Sequence, residues 1–223
     1  MDTSMRTTLG EQLMLLSLDD DTGAAKESEH VGWAIAGASL VELALAGRIE
    51  VADDKVTVLD PAQLGDPTLD AALADIAGQQ KPGRTKDWIK RLKKDGVDGA
   101  RQGLLRKGLI REETKKVLGL FPVRRYPESD GSVEEALRQR LDAVVMGGAE
   151  PDERTATLVA LLHGAKLDRL AFPEGDKATV KANMEAIAHG GWVGPAVRQA
   201  VKAAEDAVTV MVTMTVVMTP GGS

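Results

Sequence analysis

The stretch SLVELALAGRIEV, Ser39 to Val51, contains a change of secondary structure. Its first part closes a largely apolar helix predicted over residues 28 to 46. Gly47 follows as a helix C-cap, the position where the left-handed conformation is most often needed. In RIEVADDKVTVLD, Ile49 and Val51, then Val56 and Val58, flank the turn residues Asp53 and Asp54. That pattern predicts a short β-hairpin fed directly by a helix, and Asp60-Pro61 closes it.

Upstream, TTLGEQLMLLSLD predicts a helix with a threonine cap ahead of Glu11 and a stripe of Leu9, Leu13 and Leu16. Asp19, Asp20, Asp21, Thr22 and Gly23 end it. Ligands of a calcium loop alternate and finish on a glutamate, so this aspartate run predicts a solvated turn. Downstream, PTLDAALADIAG is amphipathic, and Gln79 to Gly83 breaks the pattern. TKDWIKRLKKDG predicts a basic helical turn anchored by Trp88, Ile89 and Leu92. VDGARQGLLRKGLI predicts a separate short helix running into a strand. The order helix, strand, turn, strand therefore occurs at 39–58 and again at 100–126. The second half reads as helices through SVEEALRQRLDAVVMG, DERTATLVALLHGAKLDRLAF, TVKANMEAIAHGG and GPAVRQAVKAAEDAV. The tail 207–218 is ambiguous: its β-branched residues and partial alternation favour a strand, while its continuity with a helix-forming run favours a buried helix, the reading preferred here.

The chain has 223 residues, 43% hydrophobic and 28% charged, with only 3% aromatic and no cysteine. A core built from alanine, leucine and valine favours close-packed helices over a β-sandwich. The absence of cysteine excludes disulfides and thiolate chemistry and fits a reducing cytosol. MDTSMRTTLGEQLML lacks a signal-peptide apolar region, and no apolar run is long enough for a spanning helix. Charge is uneven. Residues 81–125 hold 15 Lys or Arg against 5 Asp or Glu, while the rest of the chain holds 13 against 29. A basic segment in an acidic protein implies either a directed anionic partner or a solvated helix face.

No catalytic constellation is visible. His30, His163 and His189 lack metal-ligand spacing, and His163 lies in the apolar run TLVALLHGAKL as a structural histidine. No nucleophile elbow, Walker A or dinucleotide-binding pattern occurs. The sequence predicts a protein that is not an enzyme, with no cofactor and no metal.

Taken together, LGEQLMLLSLDDDTG, SLVELALAGRIEV, LDAALADI, KDWIKRL, LLRKGLI and RTATLVALLHGAKLDRLAF resemble the Golgi phosphoprotein 3 family, in the family's order. The family comprises peripheral membrane proteins that read phosphatidylinositol 4-phosphate, with bacterial as well as eukaryotic members. The resemblance implies one mostly helical domain over 1–223, with its core at about 8–218. It also implies short β-hairpins, one of them protruding with an apolar tip, and a location on the cytoplasmic face of a membrane.

The protruding hairpin falls at TKKVLGLFPVRRYP, Thr114 to Pro127. There Val117, Leu118, Leu120 and Phe121 are the candidate inserting residues. Lys90, Lys94, Arg101, Lys115, Lys116, Arg124 and Arg125 are the candidates for contact with an anionic surface. The implied partner is an anionic phospholipid membrane. The family's headgroup pocket is altered: gap-free alignment puts Glu27 at its tryptophan, Ala36 at its arginine, and Lys94 and Val97 at its later pair of cations. Trp33 lies six residues away and reads as core. The family's cationic N-terminal tail has no counterpart beyond Arg6, so coat or glycosyltransferase partners are not implied. Two other uses of the same region compete. One is a winged-helix nucleic-acid binder reading with 97–107, disfavoured because its wing would be apolar and Gly99 and Gly103 weaken its helix. The other is a homo-oligomer or protein contact through the hairpin.

Overall fold

The computed structural model describes residues 7–19, 23–24, 26, 28–117, 121–129 and 131–218, with side chains omitted at 28, 115–117, 121–123, 195–196 and 215–218. Helix α1 (Leu9–Ser17) begins at the predicted cap. Thr8 Oγ1 accepts the Glu11 N–H at 3.1 Å, and Glu11 Oε2 accepts the Thr8 N–H at 2.7 Å. This capping box satisfies two otherwise orphaned amide donors. Every residue of α1 is buried.

Helix α2 (Ser28–Leu45) is the central element. Ile35, Leu40, Val41 and Leu43 are buried around its circumference, as expected of a helix apolar on all sides. It packs on α1, and, as described below, on helices from both halves of the chain. Gly47 has φ of 67° and closes α2 as predicted. Strands β1 (Ile49–Ala52) and β2 (Lys55–Val58) pair with Ile49 opposite Val58 and Val51 opposite Val56. Asp53 and Asp54 both have positive φ, which gives the turn a twist that matches the strands. Helix α3 (Pro67–Ala77) is capped by Asp66, whose carboxylate accepts from Thr68 and Leu69. The short β3 (Gly83–Arg84) joins the edge of β2, a third strand that the sequence did not signal.

Helix α4 (Thr85–Arg106) corrects the expectation of two separate helical pieces. Glycine costs a helix about 1 kcal/mol each, yet α4 runs unbroken through Gly96, Gly99 and Gly103. Close packing explains this. A Cβ on Gly99 would overlap the Thr68 side chain, and one on Gly103 would overlap the Glu11 carboxylate. One on Gly96 would sit 3.4 Å from Ile35. The glycines let α1, α2 and α3 approach, and the buried Trp88, Ile89, Leu92 and Leu104 complete that face. The segment 97–107 is therefore not a free recognition helix: Gly103 and Leu104 are buried in it.

Strands β4 (Glu113–Val117) and β5 (Phe121–Arg125) form the second hairpin, with Val117 opposite Phe121 and Glu113 opposite Arg125. Among the described residues, each packs chiefly on the other. Helices α5 (Ser132–Val145), α6 (Glu153–Gly164), α7 (Asp168–Ala171) and α8 (Lys177–Ala188) follow. Lys166, with φ of 57°, separates α6 from α7 inside the run that the sequence grouped together. Helix α9 (Pro195–Met218) takes in the tail as expected. Ala200, Ala204, Val208 and Val212 are buried on it, and it packs on α2, α4 and α6. The protein is mostly helical, with two short antiparallel sheets among the described residues.

Gly103→Ala is expected to lower unfolding free energy by about 1–3 kcal/mol, because the new methyl must displace Glu11. The check is the urea midpoint at unchanged slope.

Candidate functional site

Helix α4 presents Lys90 and Lys94 one turn apart, and both are exposed. The cations beside them are engaged. Arg91 pairs with Asp75 at 2.5 Å and lies 5.3 Å from the centre of the Trp88 ring. Lys93 pairs with Glu29 and sits 4.0 Å over the Trp33 ring. Arg101 pairs with Asp98 and stacks 5.2 Å over Tyr126, so its guanidinium is turned toward the base of the hairpin.

On the hairpin, Arg124 is 72% exposed and only loosely met by Glu112 at 3.5 Å, while Arg125 is half-buried. Lys115 and Lys116 lie on β4 opposite Val123 and Pro122, and Val117 and Phe121 face each other across the ladder. Their side chains are outside the described residues, as are Leu118 and Leu120 entirely. The cations predicted at Lys90, Lys94 and Arg124 thus face solvent, whereas Arg101 is partly exposed and held by Asp98 and Tyr126.

Of the positions aligned with the family's headgroup pocket, Ala36, Lys94 and Val97 are described. Ala36 is fully buried within α2, and its methyl group carries no donor for a headgroup. Glu27 is outside the described residues. Val97 and Lys93 both pack over Gly32, where an added Cβ would come within 3.5 Å of Val97 and 2.8 Å of Lys93. Trp33 is half-buried against the core, as its sequence context suggested, but one face carries the Lys93 ammonium. Sequence reading missed Lys93 and Glu29 as partners. They are 64 positions apart, and no local pattern links them.

Behind this surface lies a buried ionic framework. Glu42, inside SLVELALAG, accepts the Leu9 N–H at 2.6 Å and both terminal nitrogens of Arg154, at 2.6 and 3.1 Å. Arg154 also donates to the Thr7 carbonyl at 2.8 Å. Glu11, 2% exposed, pairs with Lys107 at 2.5 Å. Asp152 caps α6 through the Thr155 N–H. Burial pushes its carboxyl up, but the Thr155 hydrogen bonds and the charges of Arg140 and Arg154 outweigh that and hold it below its ordinary value. Each of these carboxylates has a structural role. No group of His, Cys, Asp and Glu among the described residues could hold a metal.

His163 lies 3.8 Å from Asp168. That carboxylate raises the imidazole pKa above 6.5, against the opposing effect of burial and with help from Glu205 and Glu185. Burial also raises Glu205, despite the nearby charges of His189 and His163.

A family model described as Golgi phosphoprotein 3 matches residues 9–204, from the first residue of α1 into α9. Vacuolar protein sorting-associated protein 74 of Eremothecium gossypii is 29% identical over 164 residues, 62% of this chain and 49% of that protein. The chain spans about half the length of this curated relative.

Glu42→Ala is expected to cost about 2–4 kcal/mol, since it strands the Arg154 charge and the Leu9 amide together; chemical denaturation measures it. His163 favours its protonated form in the folded state. Its stabilising contribution is full below 6.5 and is lost as pH rises through the raised folded value. His163→Gln should therefore destabilise the protein more at about pH 5.5 than at about pH 8.5, read as the difference in thermal midpoint from wild type.

Proposed function

The chain belongs to the Golgi phosphoprotein 3 family, and on that premise we propose that it is a non-enzymatic peripheral membrane protein of anionic leaflets. It docks through the exposed cations of α4 and the hairpin and inserts the apolar residues Val117, Leu118, Leu120 and Phe121. No helix among the described residues is long and apolar enough to cross a membrane.

The observation that carries this reading is the isolation of the β4–β5 hairpin. Among the described residues its strands pack chiefly on each other, and on this reading the apolar run between them is left for lipid. Burying Leu118, Leu120 and Phe121 in acyl chain would contribute about 1.5–3 kcal/mol each at full burial. Each nearby cation would add about 1 kcal/mol at an anionic surface. Partial insertion and ordering costs reduce that sum to reversible binding. The acidic remainder of the protein favours one orientation, with the basic segment toward the lipid.

Phosphatidylinositol 4-phosphate is the specific lipid suggested by the family. Here a phosphate approaching Lys93 and Trp33 must first displace Glu29. General anionic charge together with insertion is the reading favoured by that arrangement, on the cytoplasmic face of the membrane. Self-association through the hairpin is the competing use of the same apolar surface.

The full chain is expected to co-sediment with phosphatidylserine vesicles and to lose that binding in the Leu118→Ser/Phe121→Ser variant, which keeps every charge. Unchanged binding by the variant would sink insertion. Phosphatidylinositol 4-phosphate vesicles of equal total charge form the second arm. Equal pelleting is the expected result, and a clear preference would instead assign a headgroup site. Loss of concentration-dependent mass in the same variant, without any vesicle binding by wild type, would move the hairpin to a protein interface.

A further inference from the structure

The aspartate run after α1 has no part in the reading above; Asp20, Asp21 and Thr22 lie outside the described residues, but Gly23, which follows them, meets the hairpin at its base. The Tyr126 N–H donates to the Gly23 carbonyl at 3.0 Å. Gly23 has φ of 60°, and a Cβ there would collide with the backbone of Tyr126 and come within 2.7 Å of Pro127 Cδ. Only glycine satisfies both the left-handed backbone and that approach. The turn is itself braced: Gly23 donates to the Asp19 carbonyl, Asp19 to the Ala24 carbonyl and Lys26 to the Ser17 carbonyl.

The hairpin's other attachments converge on the same place. Arg111 donates from its backbone to the Pro127 carbonyl at 3.0 Å and from its side chain to the Glu128 carbonyl at 2.8 Å. Ile110 bridges to Glu128, and Ser129 donates to the Leu109 carbonyl. From α4, Arg101 lies over the Tyr126 ring while Asp98 holds its guanidinium.

We propose that Gly23, Tyr126 and Arg101 form a fixed mount that sets the angle between the β4–β5 hairpin and the cationic face of α4. Arg101 is then a positioning residue and not a lipid contact. This inference rests on the membrane reading: insertion and charge attraction add only if the hairpin and Lys90 and Lys94 reach one lipid plane together. A hairpin that is held in advance does not have to be ordered at the moment of binding.

Gly23→Ala and Tyr126→Ser test it in the full chain, since neither alters a charge or a candidate inserting residue. Tyr126→Phe is the conservative control, keeping the ring beneath Arg101. Tyr126 is the only tyrosine in the chain, so its ring is also directly assignable by NMR. Gly23→Ala and Tyr126→Ser are expected to speed amide exchange in 113–117 and 121–125, leave exchange in α2 and α9 unchanged, and weaken partitioning to phosphatidylserine vesicles roughly tenfold. Tyr126→Phe should match wild type in both readouts. If Gly23→Ala also loosens α2, Tyr126→Ser alone decides. Unchanged hairpin exchange in Tyr126→Ser overturns the mount. Faster exchange with undiminished vesicle binding overturns the positioning role and leaves the membrane reading standing. A wild-type chain that binds no vesicles overturns the membrane reading itself.

Discussion

The carboxylate of Glu42 is the interaction on which the rest of this architecture depends. It is nearly buried, and a buried charge is tolerable only when paired and hydrogen-bonded. Arg154 supplies the charge and the Leu9 amide supplies a further donor. One side chain of α2 thereby fixes the start of α1 and the start of α6, while Arg154 extends the tie to the Thr7 carbonyl. Glu11, one turn into α1, makes the second tie through Lys107 at the end of α4. With α1 held between these two carboxylates, its wholly buried surface is enclosed by neighbours on every side.

The position of α4 follows from that arrangement. Its inner face must come very close to α1, α2 and α3, so glycine replaces larger residues at Gly96, Gly99 and Gly103. Its outer face is then free to carry Lys90 and Lys94. The hairpin leaves from the end of the same helix, which makes α4 the common support of the cations and the apolar strands. Tight packing beneath α4 contrasts with the β4–β5 hairpin, whose described strands pack chiefly on each other.

Charges within the basic segment divide by geometry. Arg91, Lys93, Arg101 and Lys107 are tied to Asp75, Glu29, Asp98 and Glu11. Their net attraction for a distant anionic surface is reduced by these partners, and the exposed Lys90, Lys94 and Arg124 carry more of it. The basic segment is thus in part a structural tie and in part the exposed charge on which the proposed docking relies. Aromatic rings take part in the first role, since Trp33, Trp88 and Tyr126 each lie beneath a tied cation.

Much of the element order was legible because it rests on local rules. The Thr8 capping box, the Gly47 cap, the Asp53-Asp54 turn and the helical tail each depend on residues a few positions apart. The site was legible only as a segment: the sequence located the hairpin and its cations, and it split α4 into two pieces and took Gly99 and Gly103 as weakening the second. Which glycine is needed, which lysine is free and which arginine is held depends on side chains brought together from distant parts of the chain. Glu42 and Arg154 are 112 positions apart, and Lys107 and Glu11 are 96 apart. By itself the sequence determined most of the elements that rest on local caps and periodicity, but not the continuity of α4, the β3 strand or the break between α6 and α7. Tertiary structure decided what each side chain is for, because close packing and charge pairing are properties of contacts that no local pattern encodes.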